Sequence, residues 1–233
     1  MKYINVLVLF ISLSVTSLAN CLPGEGKIIK DNIYLPSVNS IEVNVPMTLV
    51  ITQDDDESIL VKTNEDILRN LNFEYSGGDL NIVGREDLCP ENLTVYISIS
   101  KLTSLELNSK TIVTATNKFV CEDLDLEINE ESTLHLSLDA EEVSLDIDDE
   151  SQVTLSGNTE ELYVHVDGKG KANASSLKAD NVEAELDGSG EITVNPSEYL
   201  QAQLNGSGNI YYKNKPAKLE IDKDGTGSVI KMR

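Results

Sequence analysis

The sequence predicts an all-β fold: a parallel β-solenoid of about seven coils of ~19 residues, preceded by a β-rich part with one short helix. Three observations carry that prediction. An Asx-led turn recurs at Asn108, Asn129, Asp148, Asp167, Asp187, Asn205 and Asp224, at spacings of 21, 19, 19, 20, 18 and 19 residues. Apolar residues alternate before the turns, as in Val143/Leu145/Ile147, and again after them, as in Ile192/Val194, which is the period of half-buried strands. The segments between turns (GNTEE, SSLKADN, NPSEY, KNKPAK) share no second turn at a fixed offset, as a ladder of hairpins would require.

Taken in chain order, residues 1–19 read as a signal peptide. Met1-Lys2 is a short positive start, Ile4–Val15 is apolar but too short to span a bilayer, and Ser17-Leu18-Ala19 places small residues before a cut after Ala19. A lipoprotein is the competing expectation, with Cys21 as the lipidated residue, although Asn20 stands where a lipobox favours Gly, Ala or Ser. No second apolar run follows that could span a membrane.

Residues 20–101 form the β-rich N-terminal part. Ile41–Gln53 and Ser58–Thr63 read as strands around the acidic loop Asp54–Glu57, and Asn64–Leu71 as one short helix with Asn64 as its N-cap. Phe73–Gly84 reads as a hairpin around Ser76-Gly77-Gly78-Asp79, Leu93–Ser100 as the strand feeding the repeats, and Gly24–Ile29 as a degenerate copy of the corner turn. This part is expected to be either a lid on the solenoid or its first coils.

Residues 102–233 are the repeats. In the corners Asp187–Ile192 (DGSGEI) and Asn205–Ile210 (NGSGNI), an Asx side chain can bond its own turn and Gly supplies a positive φ. In the last coil Lys223 and Lys231 occupy inward positions, where charge would blunt the final edge.

Composition narrows function. Lys+Arg is 18 against Asp+Glu 40, a formal charge of -22, which argues against nucleic acid and anionic lipid as partners. Three cysteines, Cys21, Cys89 and Cys121, permit one disulfide and one further thiol, with the pairing open. His135 and His165 fall on opposite sides of a turn and so on different faces; Arg69, Arg85 and Arg233 lie outside the coils. The best outward cluster is Tyr163 and His165, with Ser144/Asp146 and Glu183/Glu185 on neighbouring coils; carboxylates on adjacent rungs resemble a glycosidase pair, a spacing that any acidic solenoid also produces. Asp222–Arg233 imitates a calcium loop but ends in Arg233 rather than Glu, and the stacked acids Glu130/Glu131 and Asp148/Asp149/Glu150 leave weak corner-bound calcium as an alternative. No catalytic, cofactor-binding or metal residue is assigned.

The NGSG/DGSG corners, the opening run Ile41–Leu71 with its Gly-Gly-Asp-Leu hairpin, and NGSGNIYYKNKP (Asn205–Pro216) together resemble the auto-transporter adhesin head (GIN) domain family, over about residues 36–218. The resemblance implies a right-handed parallel β-helix, exported and serving adhesion or surface display. Coils two and three depart from the pattern, with NEES and DDES in place of the Gly-rich corner. The expectation is therefore an exported, non-enzymatic β-solenoid of a bacterial envelope that binds a surface glycan or protein. The alternatives are a carbohydrate-active enzyme centred on Tyr163, His165, Glu183 and Glu185, and an envelope lipoprotein.

Overall fold

The structure is a computed structural model describing residues 21–233; the expected signal peptide lies outside the described residues. The N-terminal part comprises β1 (Ile28–Ile33), β2 (Ser40–Val43), β3 (Met47–Gln53), β4 (Ser58–Asn64), α1 (Glu65–Asn70), β5 (Leu71–Ser76), β6 (Asp79–Gly84) and β7 (Leu93–Ile99). The repeats comprise β8 (Ser104–Leu107), β9 (Thr111–Ala115), β10 (Phe119–Val120), β11 (Asp123–Ile128), β12 (Thr133–Ile147) and β13 (Gln152–Gly168). They continue through β14 (Lys171–Gly188), β15 (Glu191–Val194), β16 (Pro196–Gly206), β17 (Asn209–Tyr212), β18 (Lys218–Gly225) and β19 (Ser228–Lys231).

The repeats stack in parallel register as a β-solenoid. On the face before the corner, Leu105, Leu126, Leu145, Val164, Ala184 and Ala202 form one inward column, and all six are buried. Burying each of its larger side chains contributes roughly 1.5–3 kcal/mol, which is what makes the period-two pattern decide the register. A second face follows the corner. A short third face stacks Phe119, Leu138, Gly157 and Leu177 and reaches its last paired rung at Ala179–Pro196. Lys223 and Lys231 pair in register with Leu204 and Tyr212. Among the described residues no further coil lies over them, and the inward residues Leu219 and Ile221 are also exposed.

The N-terminal half is both coil and lid. The run expected as a single strand over Ile41–Gln53 breaks at Asn44–Pro46 into β2 and β3, which wrap a corner and stack beneath β8 and β9. On their other side lie β6 and β7, again in parallel. The chain thus enters the stack at its second layer, returns to fill the outermost one, and crosses back to β8. Antiparallel strands then close this end: β4 beside β7, β1 beside β4, and β5 beside β6 in the expected hairpin. One expectation is corrected here, and another holds in position only. Gly24–Ile29 is no corner but leads into the antiparallel β1. Asn64 stands at the N-cap without a side-chain cap bond; its Nδ2 instead donates to the Gly26 carbonyl at 3.2 Å, tying the incoming chain to the lid. Cys21 and Cys89 form a disulfide, which fixes the segment before β1 to the segment after β6, and Cys121 is the free thiol among the described residues.

Corner chemistry falls into two solutions. From Asp167 onward the Asx residues and the following glycines stack rung on rung. The N–H groups of Ser207 and Gly208 both donate to the Gly188 carbonyl, at 2.8 and 3.0 Å, and Thr226 and Gly227 repeat this on Gly206. In the NEES and DDES corners the left-handed positions fall to Glu130 (φ 57°), Glu131 (φ 58°) and Asp149 (φ 61°). There the buried Ser132 replaces the second glycine; its Oγ accepts from Thr111 N–H at 3.1 Å and donates to the Ser109 carbonyl at 2.9 Å. Because a side chain in the left-handed region costs about 1–2 kcal/mol, Asp149→Gly is expected to stabilise the fold by roughly 0.5–1 kcal/mol in urea titration. A decrease in stability would contradict this reading of the corner.

Candidate functional site

Outward residues of the solenoid sort by charge onto two faces. On the face before the corner, one column runs Asn81, Glu42, Glu106, Glu127 and Asp146, then His165, Glu185, Gln203 and Asp222. Carboxylates one strand apart, about 4.8 Å, repel by roughly 0.9 kcal/mol in water. Partial burial, then Glu106, Asp125, Asp146 and Asp148, raise the Glu127 pKa above the usual carboxylate value.

Within this acidic face the structure assembles the cluster the sequence singled out. Ser144, Tyr163, Glu183 and Gln201 share one outward column, and Asp146, His165, Glu185 and Gln203 share the next. Together they line a shallow groove of about 140 Å³, below the roughly 300 Å³ at which small-molecule pockets begin. Gln201 and Gln203 join the groove unforeseen, although reading the column one coil further would have found them. His165 Nδ1 lies 3.1 Å from Asp146 Oδ1 and Nε2 lies 3.3 Å from Asp187 Oδ2. Both ring nitrogens are thus engaged by carboxylates, an arrangement that clamps adjacent coils and leaves neither nitrogen free as a base. His135 sits between Thr114 and Thr154 on the other face, apart from His165 as expected.

Burial pulls the His165 pKa down, but its hydrogen bonds to Asp187 and Asp146 and the charges of Asp146 and Glu185 outweigh it, and the net direction is up. A raised folded-state pKa means that the clamp stabilises fully below the ordinary imidazole value of about 6.5 and loses that contribution as pH rises through the folded value. Accordingly, His165→Asn should lower the melting temperature at pH 5.5 and have a much smaller effect at pH 8.5. Equal losses at both pH values would show that His165 acts by packing alone.

The face after the corner is different. Its central outward column runs Tyr96, Val50, Thr114, His135 and Thr154, then Asn173, Thr193, which is itself covered, Tyr211 and Ile230. It contains no carboxylate and no Lys or Arg. Beside it run Thr94, Thr48, Ile112, Thr133 and Gln152, flanked by the charges of Lys62 at one end and Lys171 and Glu191 at the other. In a chain of charge -22 this is a long, flat, nearly uncharged strip. The periodicity assigned these residues outward; which face they shared became visible only with the register.

Two of the corner acids weighed for calcium, Glu131 and Glu150, are paired with lysines. Lys110 Nζ lies 2.7 Å from Glu131 Oε2, and Lys169 Nζ lies 2.6 Å from Glu150 Oε1. Among the described residues no group of three or more His, Cys, Asp or Glu side chains converges in a metal-ligating arrangement. Nor is any described helix long and apolar enough to cross a membrane.

The sequence profile of the family described as "Putative auto-transporter adhesin, head GIN domain" matches residues 38–216. The chain belongs to this GIN-domain family. Solved structures of the same fold include a "putative adhesin" from Bacteroides fragilis NCTC 9343, with a TM-score of 0.86 at 21% identity over 91% of this chain and 100% of that one. A "putative adhesin" from Parabacteroides merdae ATCC 43184 matches with a TM-score of 0.73 at 18% identity, over 92% of this chain and 100% of that one. A "putative lipid binding protein" from Parabacteroides distasonis ATCC 8503 matches with a TM-score of 0.73 at 20% identity, over 91% and 99% respectively. At these identities the likeness is one of fold. No curated protein matches the chain in sequence. The GIN-domain resemblance read from the corners and the opening strands therefore holds at the level of family, and with it an adhesin-like character.

Proposed function

We propose that this GIN-domain protein is an exported, non-enzymatic component of a bacterial cell envelope that attaches to other surfaces through the uncharged face of its solenoid. The segregation of charge carries this reading. A rod with carboxylates along one side and hydroxyl, amide and aromatic groups along another has one face that a partner without positive charge can approach. Export is supported by the leader-like residues 1–19 and by the Cys21–Cys89 disulfide, which suits an oxidising compartment. That disulfide occupies the Cys21 sulfur, which a lipoprotein would need for its thioether, so the lipid-anchored alternative loses its attachment atom. The carbohydrate-active alternative is weighed down by the engaged nitrogens of His165 and by the shallowness of its groove.

The test is twofold. Mass spectrometry of the chain from whole cells should find a start at Asn20 and protease accessibility on intact cells, while beads coated with the mature chain should adhere to cell or mucosal surfaces. A retained leader, or beads no stickier than albumin-coated ones, would remove the proposal. Release of reducing ends from polysaccharide, abolished in Glu185→Gln, would favour the enzyme instead.

A further inference from the structure

Resting on the surface-binding reading, we infer that the uncharged face accepts an extended neutral polysaccharide lying along the axis of the solenoid. Side chains that both donate and accept hydrogen bonds recur there: Thr114, then the His135 ring on the next rung, then Thr154 and Asn173 on the two after it. They repeat at about 4.8 Å, the inter-strand spacing, so a polymer of hydroxyl-rich units meets the same chemistry rung after rung. Aromatic rings stand in the same column: Tyr96, 39% exposed, near one end and Tyr211 near the other, with His135 between them. Rings offer flat apolar surface to the C–H faces of sugars and a polar tip to their hydroxyls.

Charge excludes the competitors. A polyanion is repelled by a molecule of charge -22. A cationic partner is drawn to the opposite face, where Glu42, Glu106, Glu127 and Asp146 stand in line. A stable protein interface needs a desolvated apolar centre within about 800 Å² per partner, whereas the apolar side chains of this strip are split between its ends, Val50 and Ile112 beside Tyr96 at one and Ile230 beside Tyr211 at the other. Each contact to a neutral glycan is weak, and their repetition along one rigid face multiplies them. A rigid strip of this kind has no enclosed pocket, in keeping with the shallow grooves of the coils.

The experiment is affinity electrophoresis of the full mature chain in native gels containing hydroxyethyl cellulose, galactomannan or dextran. Retardation is expected in at least one gel, with the apparent affinity falling at least tenfold in Thr114→Glu/Thr154→Glu. Tyr211→Ala, which leaves the charge unchanged, should weaken it severalfold, and Glu106→Gln/Glu127→Gln on the other face should not. Melting curves matching the parent exclude unfolding as the cause. The inference is overturned if no neutral polysaccharide retards the chain, or if both variants of the uncharged face run like the parent. Should coated beads still adhere to cells while these gels show nothing, the glycan inference fails and the surface-binding proposal stands. Adherence destroyed by protease treatment of the target but not by periodate would likewise replace the glycan with a protein.

Discussion

Gly188→Val is expected to cost about 3–5 kcal/mol, combining a strained backbone with a displaced neighbouring coil. For a domain of this size that lowers the melting temperature by roughly 10 °C. Two independent features converge at this residue. Its φ is 133°, a conformation that side chains rarely adopt, and an added Cβ would sit 2.4 Å from the Gly168 carbonyl oxygen. That oxygen accepts the N–H groups of Ser189 and Gly190 at 2.8 and 3.0 Å, so displacing it also unmakes the ladder. The next rung is built alike, with a Cβ on Gly206 falling 2.3 Å from the Gly188 oxygen. Ser189→Ala, exposed at the tip of the same turn, should stay within about 0.5 kcal/mol of the parent. Were the DGSG turn a ligand loop rather than a coil corner, the serine would matter to binding and the glycine would tolerate change in the absence of ligand. A melting temperature for Gly188→Val within error of the parent would refute the stacked-corner account.

Replacing Cys21 and Cys89 together by serine should cost about 4 kcal/mol on the chain-entropy estimate, since their bond closes a loop with a sequence separation of 68. In a solenoid each layer contacts its neighbours only, so the loss should stay local. Beyond the ladders of β1 with β4 and β4 with β7, the chain entering the lid is held by the disulfide, by backbone hydrogen bonds from Leu22 N–H to the Asp87 carbonyl and from Cys89 N–H to the Leu22 carbonyl, by the Asn64 side chain on Gly26, and by Glu25 N–H on Asp66 Oδ2 at 2.8 Å. Hydrogen exchange of the double variant should therefore quicken in β1, β4 and α1 while β13, β14 and β16 keep their protection. Uniform acceleration along the chain would show one cooperative unit instead. Thiol titration of the parent should find Cys121 alone, in the native state slowly, because burial pushes its pKa up.

The repeats were legible because each coil writes its own rule. Period-two alternation fixes which side chains face inward, and the Asx-Gly corner fixes where the chain turns, so Leu145, Val164 and Ala184 fall into one column without reference to tertiary structure. The N-terminal half lacks that redundancy. Pro46, with no N–H to give a ladder, marks the corner between β2 and β3, yet the apolar alternation around it reads as one strand. The out-of-sequence placement of β6/β7 beyond β2/β3 depends on contacts far apart in the chain, which no local pattern encodes. At the candidate sites, Tyr163, His165, Glu183 and Glu185 were found because they lie on adjacent repeats of known register. The uncharged face was missed for the opposite reason: Thr, Ser and Asn carry no signal singly, and its first rungs come from β7 and β3, outside the recognised repeats.

The most direct test of a binding rod with one working face is to compare adherence of beads carrying the parent, Thr114→Glu/Thr154→Glu or Glu106→Gln/Glu127→Gln to the same cell surface. The uncharged-face variant should lose at least tenfold in adherent beads while the acidic-face variant matches the parent. Loss confined to the acidic-face variant would contradict the account and move the binding surface to the carboxylate ladder.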